Sequence, residues 1–183
     1  MPIENNQLNL NTPVHDFHLQ ATDGKMYSLS DYKDATLLVI IFLCNHCPYV
    51  KAVIQRFIKL QDEFYYKGVR FIGINSNDDK SYPEDSFEKM KIYHREWKMN
   101  FPYLRDVTQE VAKEYDAICT PDIYVYNKNR MLKYRGRLDD NWKDESKVMR
   151  QDLKNALNEL LAGKDEIENQ ITSIGCSIKW INK

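Results

Sequence analysis

The sequence has no long hydrophobic run, no excess of either charge and no glycine-rich loop, and each absence removes a class of partner. Its longest apolar stretch, residues 37–43, is far too short for a bilayer, which takes about 20 residues as a helix. Lys and Arg number 26 against 27 Asp and Glu, a net charge of −1. Nucleic acid and anionic membranes call for a basic face, so neither is expected as a partner. Neither a phosphate-cradling loop nor a dinucleotide fingerprint is present, and no organic cofactor is implied. Met1-Pro2-Ile3-Glu4-Asn5-Asn6 lacks the basic and apolar regions of a secretory signal, which leads us to expect a cytoplasmic protein. In that compartment thiols stay reduced, so four cysteines do not read as a disulfide framework.

What is present suits one domain over residues 1–183, with 1–12 a loose polar lead-in and 164–183 a C-terminal tail. Phe17 and Leu19 alternate with polar neighbours, Asp23-Gly24 turns the chain, and Tyr27 and Leu29 resume the alternation, which predicts a β-hairpin. Residues 36–43 are apolar and rich in β-branched side chains, the pattern of a strand buried on both faces. Val50, Val53, Ile54, Phe57, Leu60 and Phe64 then keep helical spacing as far as Lys67-Gly68. A second buried strand is predicted over 69–74, a loop over 75–83, a helix over 84–97, a short strand over 101–104 and a short helix over 107–115. A second hairpin follows over 123–126 and 131–137, and an amphipathic helix over 145–161. The tail carries Ile171, Ile174, Cys176, Ile178, Trp180 and Ile181, too many apolar groups for a free tail, so it should dock. A parallel β-α-β unit joined to an antiparallel hairpin and covered by helices makes an α/β sandwich.

Cys44-Asn45-His46-Cys47 lies where the buried strand gives way to the helix. Unpaired N–H groups and the dipole at a helix N-terminus favour a thiolate, so the Cys44 pKa is expected to fall. Cys47, one turn on, is placed to resolve a mixed disulfide formed on Cys44. A protonated His46 between them would tune the thiolate further and make the disulfide a better oxidant, near about −200 mV. The competing use of Cys-x-x-Cys is half of a zinc site. Zinc needs four ligands, and Cys119 and Cys176 are isolated, with no His pair at ligand spacing.

The run Cys44-Asn45-His46-Cys47-Pro48-Tyr49-Val50-Lys51 resembles the active site of the thioredoxin-like proteins grouped with the AhpC/TSA (peroxiredoxin-like) redoxins. Gly73-Ile74-Asn75-Ser76-Asn77-Asp78, Tyr82-Pro83-Glu84-Asp85-Ser86, Phe101-Pro102-Tyr103-Leu104, Cys119-Thr120-Pro121-Asp122, Tyr134-Arg135-Gly136-Arg137 and Gly175-Cys176-Ser177-Ile178-Lys179-Trp180 are similar to the same group. The resemblance runs from about residue 13 to the C-terminus. It implies a thioredoxin fold, a three-layer α/β/α sandwich on a mixed sheet, here with an N-terminal hairpin extension and a docked tail. It also implies a cis peptide bond at Thr120-Pro121, facing the dithiol and leaving the Thr120 backbone open to an added substrate strand. Two departures stand out. The carboxylate that thioredoxins bury six residues before the first cysteine is Leu38 here. The Thr and Pro of the peroxiredoxin motif are replaced by Cys44 and Ile40, although Cys47-Pro48 keeps its end.

The sequence therefore predicts a thiol–disulfide oxidoreductase with Cys44 and Cys47 catalytic, His46 tuning, and Thr120 and Pro121 shaping the substrate groove. Its partners would be protein or small-molecule thiols and disulfides. A thiol peroxidase and a zinc-binding or interaction module are the alternatives. Cys119 is either a third redox thiol or a small buried hydrophobe. Cys176 is either inert or able to pair with another active-site cysteine on oxidation. Arg135 and Arg137 read as exposed strand arginines, with a place near the thiols as the alternative.

Overall fold

The structure is a computed structural model that describes residues 2–4 and 9–181. The expected loose lead-in and the last residues of the tail thus fall partly outside the described residues. The strands, in chain order, are β1 (Pro2–Glu4), β2 (His18–Ala21), β3 (Met26–Ser28), β4 (Leu37–Phe42), β5 (Val69–Asn75), β6 (Tyr103–Arg105), β7 (Cys119–Thr120), β8 (Asp122–Tyr126), β9 (Leu132–Gly136) and β10 (Ile174–Ser177). The helices are α1 (Pro48–Tyr65), α2 (Phe87–Glu96), α3 (Glu110–Glu114) and α4 (Asp152–Leu161).

Seven strands form one mixed sheet in the order β3-β2-β6-β5-β4-β8-β9. The core pairs β4–β5 and β5–β6 are parallel; β4–β8 and β8–β9 are antiparallel. The predicted N-terminal hairpin is β2–β3, and it joins the main sheet through β2–β6. Strand β4 shows why its sequence carries no alternation. Leu37, Val39 and Ile41 pack into one core with α1, α2 and α4, while Leu38, Ile40 and Phe42 pack into a second core with α3 and Tyr115. Each such side chain, fully removed from water, contributes about 1.5–3 kcal/mol. Leu38, at the position where a thioredoxin carboxylate was looked for, is one of these buried apolar groups.

The structure departs from the sequence reading at both chain ends and before α4. Pro2–Glu4 is a strand, not part of a loose lead-in, and the tail contains the strand β10. The two pair antiparallel, and β10 pairs on its other edge with β7, giving a second sheet β1-β10-β7. The helix predicted from 145 begins at Asp152, preceded by a separate short 3-10 turn at Glu145–Lys147. Residues 148–151 spend their backbone groups elsewhere: Met149 N–H donates to Asp140 Oδ1 and Arg150 C=O accepts from Asp140 N–H.

Candidate active site

Helix α1 begins at Pro48, with Cys47 as its N-cap. Proline suits the first helical position, where its missing N–H would have had no partner. Cys44 lies farther back, past the end of β4. Both sulfur-bearing residues are fully buried, and all four cysteines are free thiols. Thr120, from β7, reaches both: its Oγ1 is 3.1 Å from Cys44 Sγ, and its carbonyl oxygen accepts from the Cys47 thiol at 3.2 Å. The Thr120–Pro121 peptide bond is cis.

The two thiols are tuned in opposite directions, and the expected lowering of Cys44 is not found. Cys44 is pushed well above its ordinary value by burial, by its hydrogen bond to Cys47 and by the charge of Asp85. Cys47 is pulled down to about 5 by the hydrogen bond donated from Cys44, against the cost of its burial. The Cys176 thiol and the Val50 and Cys176 N–H groups also favour its charge. The helix N-terminus therefore serves Cys47, because the helix starts three residues later than a Cys44 thiolate would need. The buried carboxylate beside Cys44 adds the opposite effect there.

That carboxylate is the residue that sequence reasoning missed. Asp85 sits at the end of a 3-10 turn (Pro83–Asp85) between β5 and α2, and it is fully buried. Its Oδ1 accepts from Asn45 N–H at 2.7 Å; its Oδ2 accepts from Asn77 Nδ2 at 2.7 Å and is paired with His46 Nδ1 at 2.6 Å. Burial pushes the Asp85 pKa up, but these donors outweigh it and the net shift is downward. His46 moves up, chiefly through its bond to Asp85. Both shifts favour the charged forms of the pair, and the His46 ring is also stacked on Tyr82 at 5.4 Å. Tyr103 Oη closes the network by donating to Asn45 Oδ1 at 2.9 Å and accepting from Asn75 Nδ2 at 3.2 Å.

Cys44, His46 and Asp85 each offer one ligand atom within 4.8 Å of the others. A tetrahedral zinc ion holds ligands about 2.0–2.3 Å from itself, which spaces them well over 3 Å apart. The 2.6 Å between His46 Nδ1 and Asp85 Oδ2 is a hydrogen-bond distance, so the two groups as placed bind each other.

The remaining predicted residues are placed as follows. The Thr120 edge, expected to be open to a substrate strand, is occupied by the chain's own β10, with Cys176 opposite Thr120. Pro121 instead lines a cavity of about 100 Å³ walled by Tyr49, Val53, Leu138, Trp142 and Ile174. Cys119 is buried, its pKa raised by burial, and its thiol donates to Pro121 C=O at 3.8 Å. Arg135 is not the exposed strand residue that was expected. It is 2% exposed and bonds Asp122 Oδ2 at 3.1 Å and Asp116 C=O at 2.7 Å. Arg137, a quarter exposed, pairs with Asp152 at 2.7 Å.

Comparison with known proteins agrees with this fold. Residues 10–135 match the AhpC/TSA family, and the chain belongs to that family. A crystal structure of an uncharacterized conserved protein from Geobacillus kaustophilus superposes with a TM-score of 0.95 at 44% identity, covering 100% of this chain and 98% of that one. A thiol:disulfide interchange protein of the thioredoxin family from Chlorobium tepidum TLS aligns over 82% of this chain and 97% of its own, with a TM-score of 0.65 at 17% identity, which shows the thioredoxin fold. Peroxiredoxin 2 of Picrophilus torridus is 29% identical over 106 residues, 56% of this chain; the chain spans 50% of that relative's length.

Proposed function

We propose that the protein is a thiol–disulfide oxidoreductase that cycles Cys44 and Cys47 between dithiol and disulfide, serving redox homeostasis or antioxidant defence. In this reading Cys47, not Cys44, is the attacking thiolate. The observation that carries it is the place of Cys47 at the N-cap of α1, where the Cys44 thiol and the Val50 N–H lower its pKa, while burial and the charge of Asp85 raise that of Cys44. A thiolate is the nucleophile in disulfide exchange, and these surroundings favour it on Cys47.

The reaction follows from the electrostatics. Cys47 attacks a substrate disulfide; its S–S bond breaks, half the substrate leaves as a thiolate, and a mixed disulfide forms on Cys47. Cys47 has then lost its charge, so two of the influences holding Cys44 protonated disappear. The Cys44 proton passes to the departing thiolate, and the new Cys44 thiolate attacks Cys47 Sγ. The second substrate half leaves as a thiolate, and the Cys44–Cys47 disulfide remains for an external thiol to reduce.

A second reading has its own observation. The strand edge at Thr120 is filled by β10, which favours a small oxidant over an extended protein segment. A hydroperoxide attacked by Cys47 would release an alcohol or water and leave a sulfenic acid. Cys44 would then condense with it, expelling water.

The reading also fits the cytoplasm, where four free thiols stay reduced. Among the described residues, no helix is long and apolar enough to cross a membrane. The test is a redox titration in defined thiol buffers with disulfides located by peptide mapping. A reversible two-electron transition at Cys44–Cys47 is expected, and failure of that pair to form would overturn the proposal. Stopped-flow oxidation by peroxide decides the second reading, which falls if the rate does not exceed that of free cysteine.

A further inference from the structure

Cys47 has a second thiol neighbour that the cycle above does not use. Cys176 is half-buried on β10, and its side chain and its N–H both face the Cys47 sulfur. It is brought there by backbone pairing along the whole strand. Cys176 stands opposite Thr120 and Ser177 opposite Cys119 on one edge, and Pro2 stands opposite Cys176 on the other.

The approach is close. A Cβ built on Gly175 would lie 2.1 Å from Thr120 O and 2.6 Å from Thr120 C, so only glycine lets β10 sit against the cis-proline loop. Beyond the strand the tail is tied down again. Ile178 N–H donates to Ile118 C=O, Lys179 N–H donates to Asn77 Oδ1 at 2.8 Å, and Asp78 N–H donates to Lys179 C=O at 2.8 Å. Asn77 is the same residue whose amide holds Asp85. A chain laid antiparallel on the cis-proline loop, with a sulfur against the reactive thiolate, has the geometry of a bound substrate strand.

We propose that Cys176 is a third redox thiol and that β10 is a built-in substrate: once Cys44–Cys47 has formed, Cys176 exchanges with it to give a Cys47–Cys176 disulfide. This rests on the reading that Cys44 and Cys47 cycle as a redox pair. In the exchange Cys176 loses its proton to solvent and attacks Cys47 Sγ. The Cys44–Cys47 bond breaks, the Cys47–Cys176 bond forms, and Cys44 leaves as a thiolate that takes up a proton. No net oxidation occurs. The exchange is timed by the charge on Cys47. In the reduced protein, burial and the neighbouring Cys47 push the Cys176 pKa up to about 12. Oxidation of Cys47 removes both contributions that come from Cys47, and the nearby Lys179 cation continues to favour a Cys176 thiolate. The consequence is an enzyme whose strand-binding edge is closed to protein substrates unless β10 leaves.

The test uses the full chain. Cys44→Ser protein is oxidised with one equivalent of diamide, which joins two thiols as it becomes a hydrazine, in the presence of reduced glutathione. Free thiols are then alkylated and disulfides mapped without reduction. Cys47–Cys176 is expected to predominate. Adding Cys176→Ser should raise the Cys47–glutathione adduct by about tenfold or more, because the competing intramolecular thiol is lost. Cys47 recovered as the glutathione adduct with Cys176 alkylated in the single variant would overturn the inference. The wild-type protein supplies an arm that needs no variant to fold. Limited oxidation is expected to give Cys44–Cys47 and Cys47–Cys176 together. Cys44–Cys47 with Cys176 wholly free sinks this inference alone, while absence of Cys44–Cys47 together with an unoxidised Cys47 sinks the underlying reading as well.

Discussion

Cys47 stands between two thiols set in different surroundings. On one side Cys44 is fully buried beside a carboxylate whose two oxygens are held by Asn45, Asn77 and His46. On the other, Cys176 is half-exposed on a strand held by backbone bonds, with a lysine rather than a carboxylate as its charged neighbour. The first thiol is shut away from solvent beside a negative charge, whereas the half-exposed second one can exchange its proton with water. In the proposed cycle the first closes the internal disulfide and the second waits on the charge of Cys47.

The comparison breaks most completely if its centre is removed. Cys47→Ser should lower turnover of a small aromatic disulfide by about 10⁴-fold or more, whereas Cys44→Ser should still release two thiol equivalents per chain before stopping, the second through Cys176, and only one once Cys176→Ser is added. Single-turnover release of the chromophore distinguishes them. The opposite result, a burst from Cys47→Ser and none from Cys44→Ser, would return the attacking role to Cys44. In the wild type the thiolate absorbance should titrate with a midpoint of about 5 and vanish in Cys47→Ser.

Asp85→Asn sharpens the Cys44 side. The amide keeps the shape but removes the charge that raises the Cys44 pKa, so closure of the Cys44–Cys47 disulfide should quicken by about tenfold while the first attack by Cys47 does not. Weaker acceptance of the Asn45 N–H and the His46 ring should also cost about 1–3 kcal/mol of stability. An equal change in both steps would reduce Asp85 to a structural role. On the other side, Gly175→Ala adds a methyl where Thr120 O leaves no room. It should cost about 1–3 kcal/mol and lift β10 from the cis-proline loop. Alkylation of Cys176 in the reduced protein should then be faster, and unchanged alkylation would show that the strand does not hold the thiol in place.

Much of this site was legible in the sequence, and the rest was not for a definite reason. The apolar run of β4, the helical spacing after Pro48 and the Cys-x-x-Cys between them are local patterns, and each fixed its element to within a few residues. Thr120-Pro121 and its cis bond came through the resemblance. Asp85 was inside a quoted stretch, Tyr82-Pro83-Glu84-Asp85-Ser86, yet its position beside Cys44 depends on contacts between segments about 40 residues apart that no periodicity announces. The pairing of Pro2–Glu4 with Ile174–Ser177 joins opposite ends of the chain through two strands too short to carry a pattern. The motif predicts a helix opening at its first residue, which favours a Cys44 thiolate. A start at Pro48 moves the N-terminal donors to Cys47, and the proposed attacking role moves with them.

The smallest effect expected is on pH, and its sign follows from the His46–Asp85 pair. The folded-state pKa of His46 lies above its ordinary 6.5, so the stability it contributes is fully present below 6.5 and fades as pH rises through the raised value. Asp85 is lowered from 3.8, so its contribution is present above 3.8 and fades as pH falls through the lowered value. Both charges are in place between those limits, and there the stability lost in His46→Gln should be greatest. With a quarter of the imidazole side chain exposed, solvent screening should keep that loss to about 1 kcal/mol or less. Denaturant unfolding of the two proteins across the range measures it. A difference that grows above the imidazole range would mean that His46 is held neutral, leaving Asp85 charged in the interior without a cation beside it.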